Sequence, residues 1–169
     1  MDIDQAFIDR SRAYLGSEYL PKIRRAVRGL SQKQLWWRPN PASNSVGNLV
    51  LHLAGNARQW VVSGIGGADD IRRREEEFSG ASGLSAEELL GNLEAAIQEV
   101  DRVLTELPTD RLPDRLRIQG MDVSVFEAMY HVVEHFSMHT GQIIYLSKLH
   151  SGEDLGFYEV RNGEAKPMW

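Results

Sequence analysis

The chain has 169 residues, of which 24 are acidic and 19 basic, and its formal net charge at pH 7 is -5. This acidic balance argues against a nucleic-acid-binding protein, which normally carries a basic patch or stripe. The chain has no cysteine, so disulfides, thiolate metal sites and a cysteine nucleophile are all excluded. The length predicts a single domain over residues 1–169.

The N-terminus, Met1 to Gln5, is acidic and lacks the basic and apolar regions of a signal peptide. No apolar run in the sequence is long enough to form a membrane-spanning helix. We therefore expect a cytoplasmic protein that acts on small molecules, with neither a membrane nor a nucleic acid as partner.

Helical periodicity predicts two helices in the first half of the chain. The first covers about residues 4–30, with a kink or restart expected at Pro21, because proline removes a backbone donor. The second begins near residues 43–45, which offer several N-cap side chains. It runs to about Ser63 and is ended by the glycines at positions 64, 66 and 67.

Two more helices are predicted in the second half, each opened by a serine with a glutamate three residues later, which is the pattern of a capping box. One begins at Ser85 and ends before Pro108. The other begins at Ser124, runs to about Leu149 and is stopped by Gly152.

The segments beside the last helix carry little helical pattern. Leu116–Val123 is expected to form a short extended piece, and Glu153–Trp169 an ordered loop or a short strand. Four amphipathic helices in one chain predict an all-α fold: a four-helix bundle with long connections and a loop-like C-terminal tail. Sites in such bundles are built from polar side chains that project inward from facing helices.

Three of the five histidines, His131, His135 and His139, follow one another at four-residue steps in the last helix. Residues four apart lie on one face of a helix, and two imidazoles on one face can bind the same metal ion. The residues around them are mostly apolar, which favours a buried face over an exposed histidine ladder. Histidines on such a face need partners, which can be a metal ion, polar side chains or backbone carbonyls.

A further histidine, His52, lies in the middle of the second helix, with Asn48 and Asn56 one turn away on either side. Taken alone, such a residue is more often a core or surface histidine than a metal ligand. If the second helix faces the fourth, His52 completes a three-nitrogen site. Three protein ligands and one open position are typical of catalytic zinc sites.

The segment His131-x-x-Glu134-His135 also matches the inverted zinc-peptidase motif, in which the glutamate is the general base. That chemistry needs a further acidic ligand and a large scaffold, whereas only 34 residues follow His135. The sequence therefore disfavours a peptidase.

Two other polar features are expected to lie away from any site. The segment from Arg72 to Glu77 has three arginines followed by three glutamates, and it predicts a charge-mixed connector whose opposite charges pair four residues apart. His150, at the end of the last helix, is expected at the surface near the negative end of the helix dipole.

One combination of residues resembles a known family: an upstream helical histidine, His52, with the element His135-x-x-x-His139-x-Gly141-Gln142 in the last helix. Residues 37–60 carry further shared elements, namely Trp37-Arg38-Pro39, Asn44-Ser45, Leu51-His52 and Gln59-Trp60. The pattern resembles the DinB/YfiT-like superfamily of bacterial four-helix-bundle proteins, in a branch of unknown function. The resemblance covers about residues 4–149.

The resemblance implies a homodimeric bundle that holds a divalent metal ion, often nickel or zinc, through His52, His135 and His139. Some members transfer a low-molecular-weight thiol, such as bacillithiol or mycothiol, to an electrophile, or isomerise maleylpyruvate. Two positions depart from the superfamily pattern. Thr140 stands where many members have arginine, and His131 is an additional histidine.

We therefore expect a metal ion that activates a thiol or water by lowering its pKa, in a thiol S-transferase or a hydrolase. Any thiol must come from a cosubstrate, because the chain has no cysteine. No catalytic residue is assigned. The side chains expected to contact the ligands or the substrate are His131, Glu134, Asn48, Asn56 and Gln142. The alternatives are a non-catalytic, dimeric metal- or ligand-binding bundle and a structural dimer without a working site.

Overall fold

The computed structural model describes residues 2–79 and 83–169 and is mostly helical. Its α-helices are α1 (Ile3–Ala13), α2 (Leu20–Arg28), α3 (Gln32–Leu35), α4 (Val46–Ala57), α5 (Arg74–Phe78), α6 (Ala86–Thr105) and α7 (Val125–Ser151). A π-helical segment, Tyr14–Tyr19, joins α1 to α2, and a second, Arg58–Ile65, extends α4. A single 3-10 turn covers Thr109–Arg111.

Two short antiparallel hairpins accompany the helices. In the first, β1 (Arg115–Ile118) pairs with β2 (Met121–Ser124), directly before α7. In the second, β3 (Tyr158–Arg161) pairs with β4 (Glu164–Pro167). The predicted extended piece over residues 116–123 is thus a hairpin, and the predicted loop-like tail contains another. The chain is mostly helical rather than purely α-helical.

Serine N-caps begin three of the helices where the sequence places them. Ser85 begins α6 with Glu88, and Ser124 begins α7 with Glu127. At α4 the N-cap is Ser45, the last of the three expected residues, and its partner is an amide, that of Asn48. In each case the serine side chain accepts a hydrogen bond from a backbone N–H that has no partner within the helix.

The restart expected at Pro21 occurs one residue earlier. The π-helical segment ends at Tyr19, and α2 begins at Leu20 with the proline in its first turn. The backbone stays helical across this point, since Tyr19 and Leu20 both have right-handed α conformation, so the proline is accommodated by the π-helical turn before it rather than by a free helix start.

The core lies where α2, α4, α6 and α7 meet, with α4 in contact with both α6 and α7. Val27, Val50, Leu93 and Phe136, one from each helix, are buried there. Removal of these apolar side chains from water provides the main driving force for packing. The packing of α4 against α7 is what brings the histidines of the two helices to the same place. Among the helices of residues 2–79 and 83–169, none has the length and apolarity needed to cross a membrane.

Candidate metal centre

Three imidazoles from two helices meet at one point. His52 comes from α4, and His135 and His139 from α7, and one ring nitrogen of each lies within 4.8 Å of the others. The Nε2 atoms of His52 and His135 are 2.8 Å apart. The side chains of His52 and His139 are buried, and that of His135 is half-buried. We call this group the histidine cluster.

The sequence of each helix explains how its histidine side chains reach the cluster. On α7, the four-residue step places His135 and His139 on one face, while the buried Val132 and Phe136 hold the helix against the core. On α4, the buried Leu53 anchors the turn that carries His52. The apolar neighbours thus fix both helices, and the histidines project into the gap between them.

Glu77, on α5, orients His52. Its Oε2 atom lies 2.9 Å from the Nδ1 atom of His52, and its side chain is almost fully buried. The Arg72 Nη2 also lies 3.0 Å from this Nδ1, but it already donates to Glu77, so we assign the Nδ1 proton to the bond with the carboxylate. The His52 Nε2 lone pair is then free, facing His135. A carboxylate behind a histidine in this way selects the tautomer that binds metal and makes the nitrogen more basic.

Arg72 holds Glu77 in place. Its Nε and Nη2 atoms donate to the two carboxylate oxygens of Glu77, each over 2.7 Å. Such bidentate pairs are among the strongest hydrogen-bonded arrangements in proteins. Burial alone would raise the pKa of Glu77, but the hydrogen bonds and charges of Arg72 and His52 outweigh it, so the pKa is lowered. The carboxylate is therefore ionised at neutral pH.

The sequence did not indicate this buried pair, and it placed Arg72 and Glu77 in a charge-mixed connector whose charges pair four residues apart. The side chain of Arg72 is 4% exposed and that of Glu77 9%. The sequence feature that could have indicated this buried pair is Gly55, one turn after His52 on the apolar α4. A Cβ atom there would overlap the Glu77 carboxylate, so glycine at this position lets the connector lie directly on the helix.

Gln142 orients the His139 ring, as Glu77 orients the His52 ring. Its Oε1 atom accepts a hydrogen bond from the His139 Nδ1 over 2.7 Å, which leaves the His139 Nε2 free. Burial lowers the pKa of His139, although this bond opposes it. Burial and the neighbouring histidines lower the pKa of His135 to about 3. Both rings are therefore neutral at pH 7, the form in which imidazole binds metal.

His131 borders the histidine cluster without joining it. Its ring lies on that of Trp60, with centroids 4.0 Å apart, and 5.2 Å from the ring of His135. Its Nε2 atom is 3.3 Å from the Asn56 Nδ2, and burial lowers its pKa. The Asn56 Oδ1 atom is buried and has no hydrogen-bond partner within the described part of the chain.

The remaining predicted contacts lie further away. The Asn48 Nδ2 donates to the backbone oxygen of Glu77 over 2.8 Å, so Asn48 fixes the connector rather than a ligand. Glu134 is exposed on α7, which leaves the peptidase motif without a buried general base. Thr140, beside His139, is buried.

His150 differs from its expected surface position. It is half-buried, with its ring 4.7 Å from that of Trp37, and its Nε2 atom is buried with no hydrogen-bond partner among the described residues. It is not one of the three histidines of the cluster.

A cavity of about 620 Å³ lies between the π-helical end of α4, the connector and α6. Leu51, Val62 and Leu84 give it apolar walls, and Arg72 and Glu77 also line it. The same two side chains therefore contact both the cavity and His52.

The donor set of the histidine cluster fits a divalent transition metal. Three imidazole nitrogens from two rigid helices suit zinc, nickel, copper or iron. Three protein ligands leave at least one coordination position open for water or substrate. Glu77 and Gln142 supply the oriented partners that metal-binding histidines almost always have.

Comparisons with known proteins identify a family and a similar fold. The model of the mycothiol S-transferase family, which is DinB/YfiT-like, matches residues 12–152. A solved structure of a conserved protein from Enterococcus faecalis is similar with a TM-score of 0.67 at 16% identity, over 89% of this chain and 96% of that one. At this identity the likeness shows the fold alone. No curated protein gave a significant match. Since the family match covers most of the chain, the protein belongs to the mycothiol S-transferase family.

Proposed function

We propose that this protein is a metal-dependent thiol S-transferase whose ion is held by His52, His135 and His139. One observation carries the proposal: three imidazole nitrogens converge, and at two of the rings the other nitrogen is engaged by Glu77 or Gln142. The family match supports thiol transfer over other metal chemistry.

The ion would act as a Lewis acid that lowers the pKa of a thiol and so provides a thiolate at neutral pH. The protein's own residues prepare the site for it. Glu77 and Gln142 hold the Nδ1 protons of His52 and His139, so that both Nε2 atoms stay unprotonated. The apolar packing of α4 against α7 excludes water from the buried side of the cluster. The thiol comes from a cosubstrate, since the chain has no cysteine.

The proposal also includes finer points. The thiol is mycothiol or a similar low-molecular-weight thiol, and the ion is zinc or nickel. The long helical segments form a four-helix bundle, residues 1–169 act as one domain, and the protein works as a homodimer. His131 and Asn56, beside the cluster, are the side chains that we expect to contact substrate.

The test begins with elemental analysis of protein purified without a metal-affinity tag, beside the double variant His135→Ala/His139→Ala. We expect near-stoichiometric zinc or nickel in the wild type and none in the variant. The loaded protein is then given mycothiol and an activated aryl chloride, and thioether formation is followed. Metal without turnover would favour the non-catalytic metal-binding alternative. No metal after reconstitution would overturn the proposal.

A further inference from the structure

The turn of the β1–β2 hairpin holds a residue that its backbone disfavours. Gln119 has φ +52° and is followed by Gly120 at φ +80°. The β3–β4 hairpin has the same arrangement, with Asn162 at φ +54° and Gly163 at φ +81°. Asparagine is common in such two-residue turns, because it tolerates positive φ better than other side chains. The turn itself therefore explains Asn162 but not Gln119.

The contacts of its side chain explain Gln119. The amide reaches across to the π-helical end of α4 and contacts the amide of Gln59. The same amide atom that lies beside the Gln59 Oε1 is 3.2 Å from both the Trp60 Nε1 and the Arg72 Nη1. We assign it as the amide oxygen, because it then accepts from these two donors, whereas as a nitrogen it would donate to Gln59 alone. A disfavoured backbone conformation that persists for the sake of side-chain contacts is a recognised mark of a functional position.

These contacts lead directly to the histidine cluster. The Arg72 Nη1 also donates to the Gln59 Oε1 over 2.8 Å. The opposite side of the same guanidinium holds Glu77, whose other oxygen faces the His52 Nδ1. Both sides of Arg72 are thus occupied, one by the glutamine pair and one by the carboxylate that orients a ligand.

The hairpin is packed closely enough to transmit this contact. A Cβ atom on Gly64 would overlap the side chain of Ile118, the residue before Gln119. Ile118 is buried, so the turn is anchored against the π-helical segment. Such segments within helices are frequently found at functional sites.

We propose that Gln119 is a positioning residue for the metal centre. From the hairpin turn it fixes the guanidinium of Arg72, and through Arg72 and Glu77 it holds the His52 ring in the Nδ1-protonated tautomer. The inference deepens the proposed function, because the site that it concerns is the proposed metal site. It adds a third element, the β1–β2 hairpin, to a centre whose ligands come from two helices.

The test compares Gln119→Gly with Asn162→Gly, two variants that place glycine at the same position of the two hairpin turns. The His52 tautomer is read in the metal-free protein from long-range 15N–1H correlations of the imidazole. Zinc affinity is measured by competition with a chromophoric chelator, and unfolding stability by chemical denaturation. Gln119→Asn, which keeps an amide on a side chain too short to reach Arg72, is a second variant.

We expect Gln119→Gly and Gln119→Asn to turn the single Nδ1-protonated signal of His52 into a mixture and to weaken zinc binding about tenfold, at the lower end of such partner effects. Unfolding stability of the metal-free Gln119→Gly protein should be kept or raised, because glycine accepts positive φ. Asn162→Gly should change neither the tautomer nor the zinc affinity.

Two results would overturn the inference. One is an unchanged His52 tautomer with unchanged zinc affinity in Gln119→Gly. Another is a loss of zinc affinity matched by an equal loss of unfolding stability, which a role in folding alone would give. If the wild type binds neither zinc nor nickel, the proposed function itself is refuted. The tautomer then decides the inference alone, and an unchanged signal overturns it.

Discussion

The Nε2 atoms of His52 and His135 face each other at 2.8 Å across the gap between α4 and α7. With His52 protonated at Nδ1, the neutral His135 ring donates its Nε2–H to the His52 Nε2 lone pair in the metal-free protein. A divalent cation would take the place of this proton and use both Nε2 lone pairs, with the His135 proton moved to its Nδ1. An ion bound there would therefore join the two helices.

Metal removal should consequently destabilise the fold. At a free ion concentration one hundred times Kd, binding adds about 2.7 kcal/mol to the free energy of unfolding. For a chain of this length each kcal/mol corresponds to roughly 2–4 °C in Tm. Thermal denaturation with and without a chelator measures the difference, and the His135→Ala/His139→Ala variant is the control. Equal Tm values in the wild type would contradict metal binding by the histidine cluster.

Neutralising the carboxylate behind His52 should affect both binding and stability. Glu77→Gln leaves the buried charge of Arg72 without its partner, which we expect to cost about 3–5 kcal/mol of unfolding stability. Loss of the oriented acceptor should weaken metal binding about 10- to 100-fold.

The matched control for this change is Glu76→Gln, in the same helix, where the pair with Arg73 is exposed. Its effect on stability should stay within about 0.5 kcal/mol. Denaturant titration and metal competition check both variants. Similar small effects in the two would mean that Glu77 has no special role.

A methyl group at Gly55 should displace the connector from α4. The new Cβ would overlap the Glu77 carboxylate, and overpacking of this kind costs typically about 1–3 kcal/mol. Since Glu77 must move, metal affinity should fall as well.

The control for this substitution is Gly91→Ala in α6, where the added Cβ meets nothing within 4 Å. There alanine should be neutral or stabilise the helix by up to about 1 kcal/mol. Denaturation of both variants with and without zinc separates packing from metal effects. A Gly55→Ala protein as stable as Gly91→Ala would refute the close approach.

Lowering the pH should reduce the stability of the first turn of α7, because it protonates the capping carboxylate of Glu127. The backbone N–H of Ser124 donates to this carboxylate over 2.6 Å and, with the serine hydroxyl, lowers its pKa below the ordinary 4.5. A lowered folded-state pKa means that the unfolded chain binds more protons, so this contribution is complete above about pH 4.5 and is lost as pH falls through the lowered value.

The measurement is unfolding stability against pH for Glu127→Gln and for the control Glu134→Gln, an exposed glutamate in the middle of the same helix. We expect Glu127→Gln alone to flatten the acid limb of the wild-type curve. An acid limb of undiminished slope in Glu127→Gln would show that the capping carboxylate contributes nothing.

The features that depend only on residues close together in the sequence could be predicted. The starts of α6 and α7 follow from Ser85 and Ser124 with their glutamates, because capping is a contact over three residues. The common face of His135 and His139 follows from helix periodicity. The approach of His52 to that face agrees with the structure, while metal binding by the three remains a prediction.

The contacts that depend on the path of irregular chain could not be predicted. Glu77 reaches His52 because the connector folds back over α4, and no periodicity in residues 66–77 encodes that path. The position of Gln119 could not be predicted for a related reason, because glutamine is not a residue typical of two-residue hairpin turns. His150 was misplaced because its burial depends on Trp37, which is distant in the sequence.

Glu77 lies outside α4 and α7. In the proposed metal site, the histidines that would bind the ion and the carboxylate that makes His52 more basic therefore belong to different parts of the chain. Substitutions within α4 and α7 disturb the core, whereas connecting segments accept variation more readily. Selection could therefore retune the affinity of the centre, or its choice among competing ions, through the connector while every histidine stayed in place. Relatives that share the same three ligands need not share the same metal.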